Sequence, residues 1–234
     1  SLMALKESGV TEESIALAVT KKEMASALIA DDRFTDAIEI YADLETTLKA
    51  FPETARFVEI DSPDLVFALI RTNALVKAEI VARRLVTFNE ARAGKSSKAT
   101  TQANLLLAYS LADQSKDEAA QALFASSIND LIELERDNSA DSDGISMQEK
   151  KFLAGYVESY LGVLSKAFDK TANPKLVNEA FVLGDLARSS NVQRALSAST
   201  ARANITDPRL SKLVREEQDL NQQIAFLTKL SKEL

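Results

Sequence analysis

A chain of 234 residues, 46% hydrophobic and 27% charged, is long enough to bury a sizeable core in one elongated domain or two compact ones. It contains no His, Cys or Trp, which excludes imidazole acid–base chemistry, cysteine nucleophiles, disulfides and almost every zinc site. The formal net charge is −7, with −9 on residues 1–174 and +2 on 175–234, so the basic excess that phosphate neutralisation requires of a nucleic-acid binder is missing. With only 6 Gly and 4 Pro, and β-branched residues scattered rather than clustered, the composition predicts an all-α chain.

Thr11-Glu12-Glu13 reads as a cap with first-turn acids. Ile15, Leu17, Ala18, Met24, Ala25, Leu28 and Ile29 then carry a first helix to Ala30. Asp31-Asp32-Arg33 marks a tight turn, and a second helix runs from Phe34 to Ala50 before Phe51-Pro52 ends it. Helical-hairpin repeats need a small residue where two helices cross, then a second small residue and an aromatic on the next helix. Met24-Ala25-x-x-Leu28 followed by Ala37-x-x-x-Tyr41 has that order, and Leu107-Ala108-x-x-Leu111 followed by Ala120-x-x-x-Phe124 repeats it 83 residues later. The order resembles the tetratricopeptide repeat, and the gap leaves room for one unit of about 40 residues between the copies. The copies depart from the repeat where its Trp is replaced by Lys21 and Asn104, and where its trailing Pro is replaced by Lys49 and Ile132. The competing reading is an ordinary bundle whose alanines simply allow close packing.

Between the copies, Ser62-Pro63-Asp64 caps an apolar-rich pattern from Leu65 to Ala91, closed by Gly94. Periodicity alone leaves two forms open: one long helix, or a hairpin turning near Thr72-Asn73. Gly94-Lys95-Ser96-Ser97-Lys98 is a short polar loop without a phosphate-binding motif around it. After a helix ending near Arg136, the run Asp137 to Gly144 is acidic. Aligned as a calcium loop on Gly144, it places Lys150 where the closing bidentate acid belongs, so it reads as a solvated loop. The adjacent acids Glu12-Glu13, Asp31-Asp32 and Glu216-Glu217 read as caps and solvated faces, since di-metal bundles need Glu-x-x-His. A further helix is predicted from Ser146 to Phe168, with Gly155 and Gly162 on one face admitting a close neighbour, and Asn173-Pro174 opens the next.

Residues 175–234 read as two helices joined at Thr206-Asp207-Pro208, a terminal hairpin of about 40 Å per arm. Its arginines Arg188, Arg194, Arg202, Arg209 and Arg215 are expected to pair with the acids nearby rather than form a basic edge. Leu210, Leu213, Leu220, Ile224, Leu227 and Leu234 are expected to pack within the chain, the alternative being a short dimer seam.

The run Ala180-Phe181, Leu186-Ala187-Arg188, Gln193-Arg194-Ala195-Leu196, Ala201-Arg202-Ala203, Asp207-Pro208-Arg209-Leu210 and Leu213 to Leu220 resembles a particular segment. It is similar to the one that ends the tetratricopeptide-like helical array of bacterial CHAT-domain proteins, where a caspase-like cysteine protease domain follows. The resemblance implies an α-solenoid of antiparallel helix pairs over 1–174 and a hairpin over 175–234 leading into a downstream domain. It implies a non-catalytic interaction module, without cofactor or metal, holding a peptide or protein partner in a concave groove. By the same resemblance the groove-facing positions are Lys22, Ser26 and Ile29, then Gln102, Leu105, Tyr109 and Asp113. A monomer or weak dimer is expected, in the cytoplasm. No apolar run approaches the ~20 residues that span a bilayer, and no leader pattern stands at the start.

Overall fold

A computed structural model of the chain describes residues 14–138 and 147–184. Among these the ordered elements are all helices: α1 (Ile15–Ala30), α2 (Phe34–Ala50), α3 (Pro52–Ala55), α4 (Pro63–Arg71), α5 (Leu75–Ala93), α6 (Lys98–Asp113), α7 (Asp117–Asn138) and α8 (Met147–Thr171). A further helical stretch begins at 174 and is described to 184. The predicted start at Thr11, the acidic loop Asp137–Gly144 apart from its first two residues, which end α7, and the hairpin residues beyond 184 with their arginines and leucines lie outside the described residues. No described helix is long and apolar enough to cross a membrane.

The punctuation foreseen in the sequence acts through identifiable hydrogen bonds. Ser62 Oγ accepts from the Leu65 amide at 3.2 Å, with Pro63 supplying the first helical φ of α4. Ser97 Oγ caps α6 by accepting from the Thr100 amide, also at 3.2 Å. Asn173 Oδ1 accepts from the Lys175 amide where the helix after Pro174 begins. Gly94 ends α5 with φ +85°, a conformation an L side chain resists.

The ambiguous stretch after Ser62 is a hairpin, not one long helix. Asn73 stands at φ +59° between α4 and α5. The Ala74 amide reaches back to the Leu69 carbonyl and the Asn73 amide to that of Ile70, which together close a Schellman turn. The same pair of bonds recurs at Arg33 to Leu28 with Asp32 to Ile29, and at Lys116 to Leu111 with Ser115 to Ala112. Asp32 and Ser115 likewise have positive φ, 61° and 59°. The three turn residues are 41 and 42 residues apart, so one hairpin geometry is used three times.

Each turn returns the chain antiparallel to the helix before it. Ala25, Ala37, Ala78, Ala82, Ala108 and Ala120 are all fully buried, with no side chain beyond Cβ to hold neighbouring backbones apart. Tyr41 and Phe124 fill the aromatic place in the outer hairpins, while Ala82 stands at the corresponding place in the middle one. That missing aromatic explains why the middle unit does not show in the sequence pattern. Lys21, where the repeat has Trp, is 3% exposed: its stem is buried and its ammonium meets Asp43 at 2.9 Å.

Polar contacts tie successive pairs together at the rim. Glu79 on α5 accepts from Arg83, from Gln114 at the end of α6, and from Lys116 in the following turn. These bonds, Lys116 foremost, hold its carboxyl at about 2, well below the ordinary 4.5. Arg84 grips Asp61 through two bonds of 2.7 Å, fastening α5 to the segment before α4. The core is continuous from Ala25 and Ile29 to Leu176 and Leu183, so helical residues past 174 pack onto the same core. Tyr160, stacked on Phe124 with ring centroids 4.8 Å apart, donates its hydroxyl to Glu179 across that joint.

Two outcomes follow for stability. Ser115→Val forces a β-branched residue into the left-handed region and should lower unfolding free energy by about 1–2 kcal/mol, whereas Ser115→Gly should cost nothing; urea denaturation distinguishes them. Because folding depresses the Glu79 carboxyl, its contribution is complete above pH 4.5 and fades as pH falls toward about 2. Glu79→Gln should therefore reduce stability at neutral pH by about 1 kcal/mol and flatten the acid limb of the thermal midpoint against pH.

Candidate functional site

The positions expected by resemblance to line a partner-binding face lie on α1 and α6, the first helices of the outer hairpins. Because direction alternates from helix to helix within each hairpin, α1, α4 and α6 run parallel to one another. The residues expected to line the face do not stay together at its surface. Ile29 on α1 and Leu105 on α6 belong to the core, 1% and 0% exposed, so the expectation that they face a groove is corrected. Both are large apolar side chains whose burial is worth about 1.5–3 kcal/mol each, and the packing of adjacent helices takes them. Gln102 is half-buried on α6 and lines neither of the clefts described below.

Lys22 and Ser26 lie at a cleft of about 460 Å³ between α1 and the segment 57–59. Val19, Phe57 and Val58 give it an apolar floor; Glu23 and Glu59 complete its rim. Both predicted polar groups are already engaged: Lys22 Nζ donates to the Glu59 carbonyl, and Ser26 Oγ donates to Asp64 Oδ2 at 2.5 Å. Phe57 is 69% exposed, so an apolar edge remains open beside them.

Tyr109 and Asp113 lie at a second cleft of about 290 Å³, whose other wall is α8: Glu158, Ser159, Gly162, Val163 and Lys166. Burial raises the Asp113 carboxyl above the usual carboxylate range, against the opposing pull of Lys166 and Arg71. Burial is also the main cause that raises the Tyr109 phenol. The Arg71 guanidinium lies over the Phe34 ring, 5.4 Å from its centroid, and points the cleft's second cation inward from α4.

Between the clefts the face is covered by α8, a feature the sequence reading misses. α8 runs parallel to α6, from Lys98–Glu149 at 3.3 Å near their starts to Lys166–Asp117 at 3.1 Å just beyond the end of α6. Its first turns reach past α6: Gln148 donates to Asp64 on α4, and Lys151 donates to the Ala30 carbonyl and to Asp32 at the end of α1. Phe152 packs on Phe67 with ring centroids 4.7 Å apart, and Phe67 in turn meets Tyr109 edge-on at 6.5 Å. The approach is closest at Gly155, where a Cβ would lie 3.0 Å from Tyr109 Cε1 and 3.4 Å from Phe67 Cε2. Gly162, expected to share that role, has nothing within 4 Å of the corresponding position and lines the second cleft instead.

The signal for this arrangement was the glycine at 155, read correctly as a point of close approach but without its neighbour.

Gly155→Leu should overpack the Tyr109–Phe67 contact and destabilise by about 1–3 kcal/mol. Gly162→Ala, at an open helical position, should stabilise by about 0.5–1 kcal/mol. Chemical denaturation of the two variants checks the asymmetry, and equal effects would show that α8 does not lie against α6 as described. Comparison of the chain with protein-family models, with curated proteins and with solved structures returned no match.

Proposed function

We propose that this chain is a non-catalytic protein-interaction module: a tetratricopeptide-like array of antiparallel helix pairs that holds a peptide or protein partner along the face of its first helices. The observation that carries the reading is the threefold use of one hairpin, with left-handed turn residues Asp32, Asn73 and Ser115 at nearly constant spacing. Stacking of such units yields an extended surface whose binding chemistry is set by side chains rather than by a reaction centre. The two clefts at the edges of that face combine apolar floor and charge of both signs, as suits a polypeptide ligand. The similarity of residues 180–220 to the segment preceding a caspase-like domain in bacterial CHAT-domain proteins gives the module a place, as the arm that passes partner binding to a protease domain. Catalysis by this chain itself is disfavoured because it has neither His nor Cys.

A photo-crosslinking amino acid at Asp113 and at Lys22, in the protein expressed in its own cells, tests the reading. A common adduct from these positions, absent when the crosslinker is at exposed Glu39 or Arg92 on second helices, is the expected result. Adducts that do not distinguish the four positions, or none at all, would sink it.

A further inference from the structure

We infer that the first turns of α8 are a built-in occupant of the partner surface, and that the partner this surface fits is an amphipathic helix lying parallel to α6. The inference rests on the interaction-module reading above and gives its ligand a shape and a chemistry.

The face beneath residues 148–156 is made for a helix. Phe67 and Tyr109 form an aromatic floor, Asp64 stands at one end as an acceptor, and the carbonyl of Ala30 with Asp32 offers a second acceptor site for a cation. α8 supplies the complement within eight residues: an amide at Gln148, an ammonium at Lys151, an aromatic ring at Phe152 and no side chain at Gly155. A helix from another chain with a basic residue, an adjacent aromatic and a glycine three positions further on would make the same contacts.

The seat of α8 is incomplete as core packing. The two buried side-chain hydroxyls without a hydrogen-bond partner among the described residues, Tyr156 Oη and Ser159 Oγ, both belong to this helix. Tyr156 is 2% exposed, and burial drives its phenol far above the ordinary value. Each is an unmade bond that weakens the hold of α8 on its neighbours; Tyr156 lies within residues 148–156 and Ser159 just beyond them. Further along, Tyr160 stacks on Phe124 of α7 and Val163 and Leu164 are buried, so the second half of α8 has an anchorage of its own. A partner helix that satisfies the same contacts gains access by displacing residues 148–156, which reduces its apparent affinity by the fraction of molecules in the open form.

Hydrogen exchange on the full chain tests the device directly. Amides of residues 149–156 should exchange through a local opening, with protection factors at least tenfold below those of 103–111 in α6, and Lys151→Glu should widen the gap. Equal protection of the two segments would show that α8 is ordinary core and would overturn the proposal. A labelled synthetic peptide spanning residues 147–160 provides the second measurement. It should bind Gly155→Leu, checked as folded by circular dichroism, at least tenfold more tightly than the unaltered chain. Equal affinity, or no binding to the folded variant, would also overturn the proposal, while adducts at Asp113 and Lys22 would still support a partner at the outer clefts.

Discussion

One residue in the left-handed conformation at the end of each first helix sets the geometry on which the rest of this molecule depends. Asp32, Asn73 and Ser115 each let two amides turn back on the last carbonyls of the helix, and the chain reverses within three residues. A reversal that short leaves the next helix no choice but to lie against the previous one, and the buried alanines then decide how close the two come. Asp and Asn tolerate the left-handed region because their short polar side chains compete locally for the backbone; Ser does so less well. Repetition at nearly equal intervals gives three hairpins of one local geometry.

The side of α4 and α6 that faces α8 is not left open to water. Phe67 and Tyr109 on that side are large aromatic groups, and leaving them to water would forfeit a substantial apolar contact. α8 covers them because Gly155 removes the one side chain that would keep the backbones apart. The covering is polar at its start, through Gln148, Glu149 and Lys151, and apolar in the middle, through Phe152 and Tyr156. Such a layout fixes the position of α8, with Phe152 and Tyr156 buried in the same core as the hairpins. It separates Lys22 and Ser26 at one edge from Tyr109 and Asp113 at the other, with a self-contact between them.

Much of the helical framework was legible in the sequence. Ser62-Pro63, Gly94, Asn173-Pro174 and Asp31-Asp32 act locally, through bonds to residues at most five positions away, so a linear reading can find them. The outer small-and-aromatic sets, Ala25 with Ala37 and Tyr41, Ala108 with Ala120 and Phe124, were legible for the same reason. The middle hairpin was half legible: a turn near Thr72-Asn73 stood as one of two forms, and with Ala82 in the aromatic's place nothing in the repeat pattern decided between them. Of the expected groove residues, Ile29 and Leu105 could not be sorted from their neighbours. An apolar residue on a helix tells nothing of which of two packed faces it will meet.

What the sequence by itself determined is therefore the all-α composition, most helix ends, and the lack of His and Cys chemistry, because each depends on residue type and near neighbours. Tertiary structure alone decided that Lys21 lies buried beside Asp43 and that α8 crosses the face of α4 and α6. These outcomes join residues 22 to 121 positions apart, such as Lys21 with Asp43, Gln148 with Asp64 or Lys151 with Ala30. They are settled by which surfaces fit once the helices have formed, by the space at Gly155 and the aromatic groups around it, and no local periodicity encodes that fit.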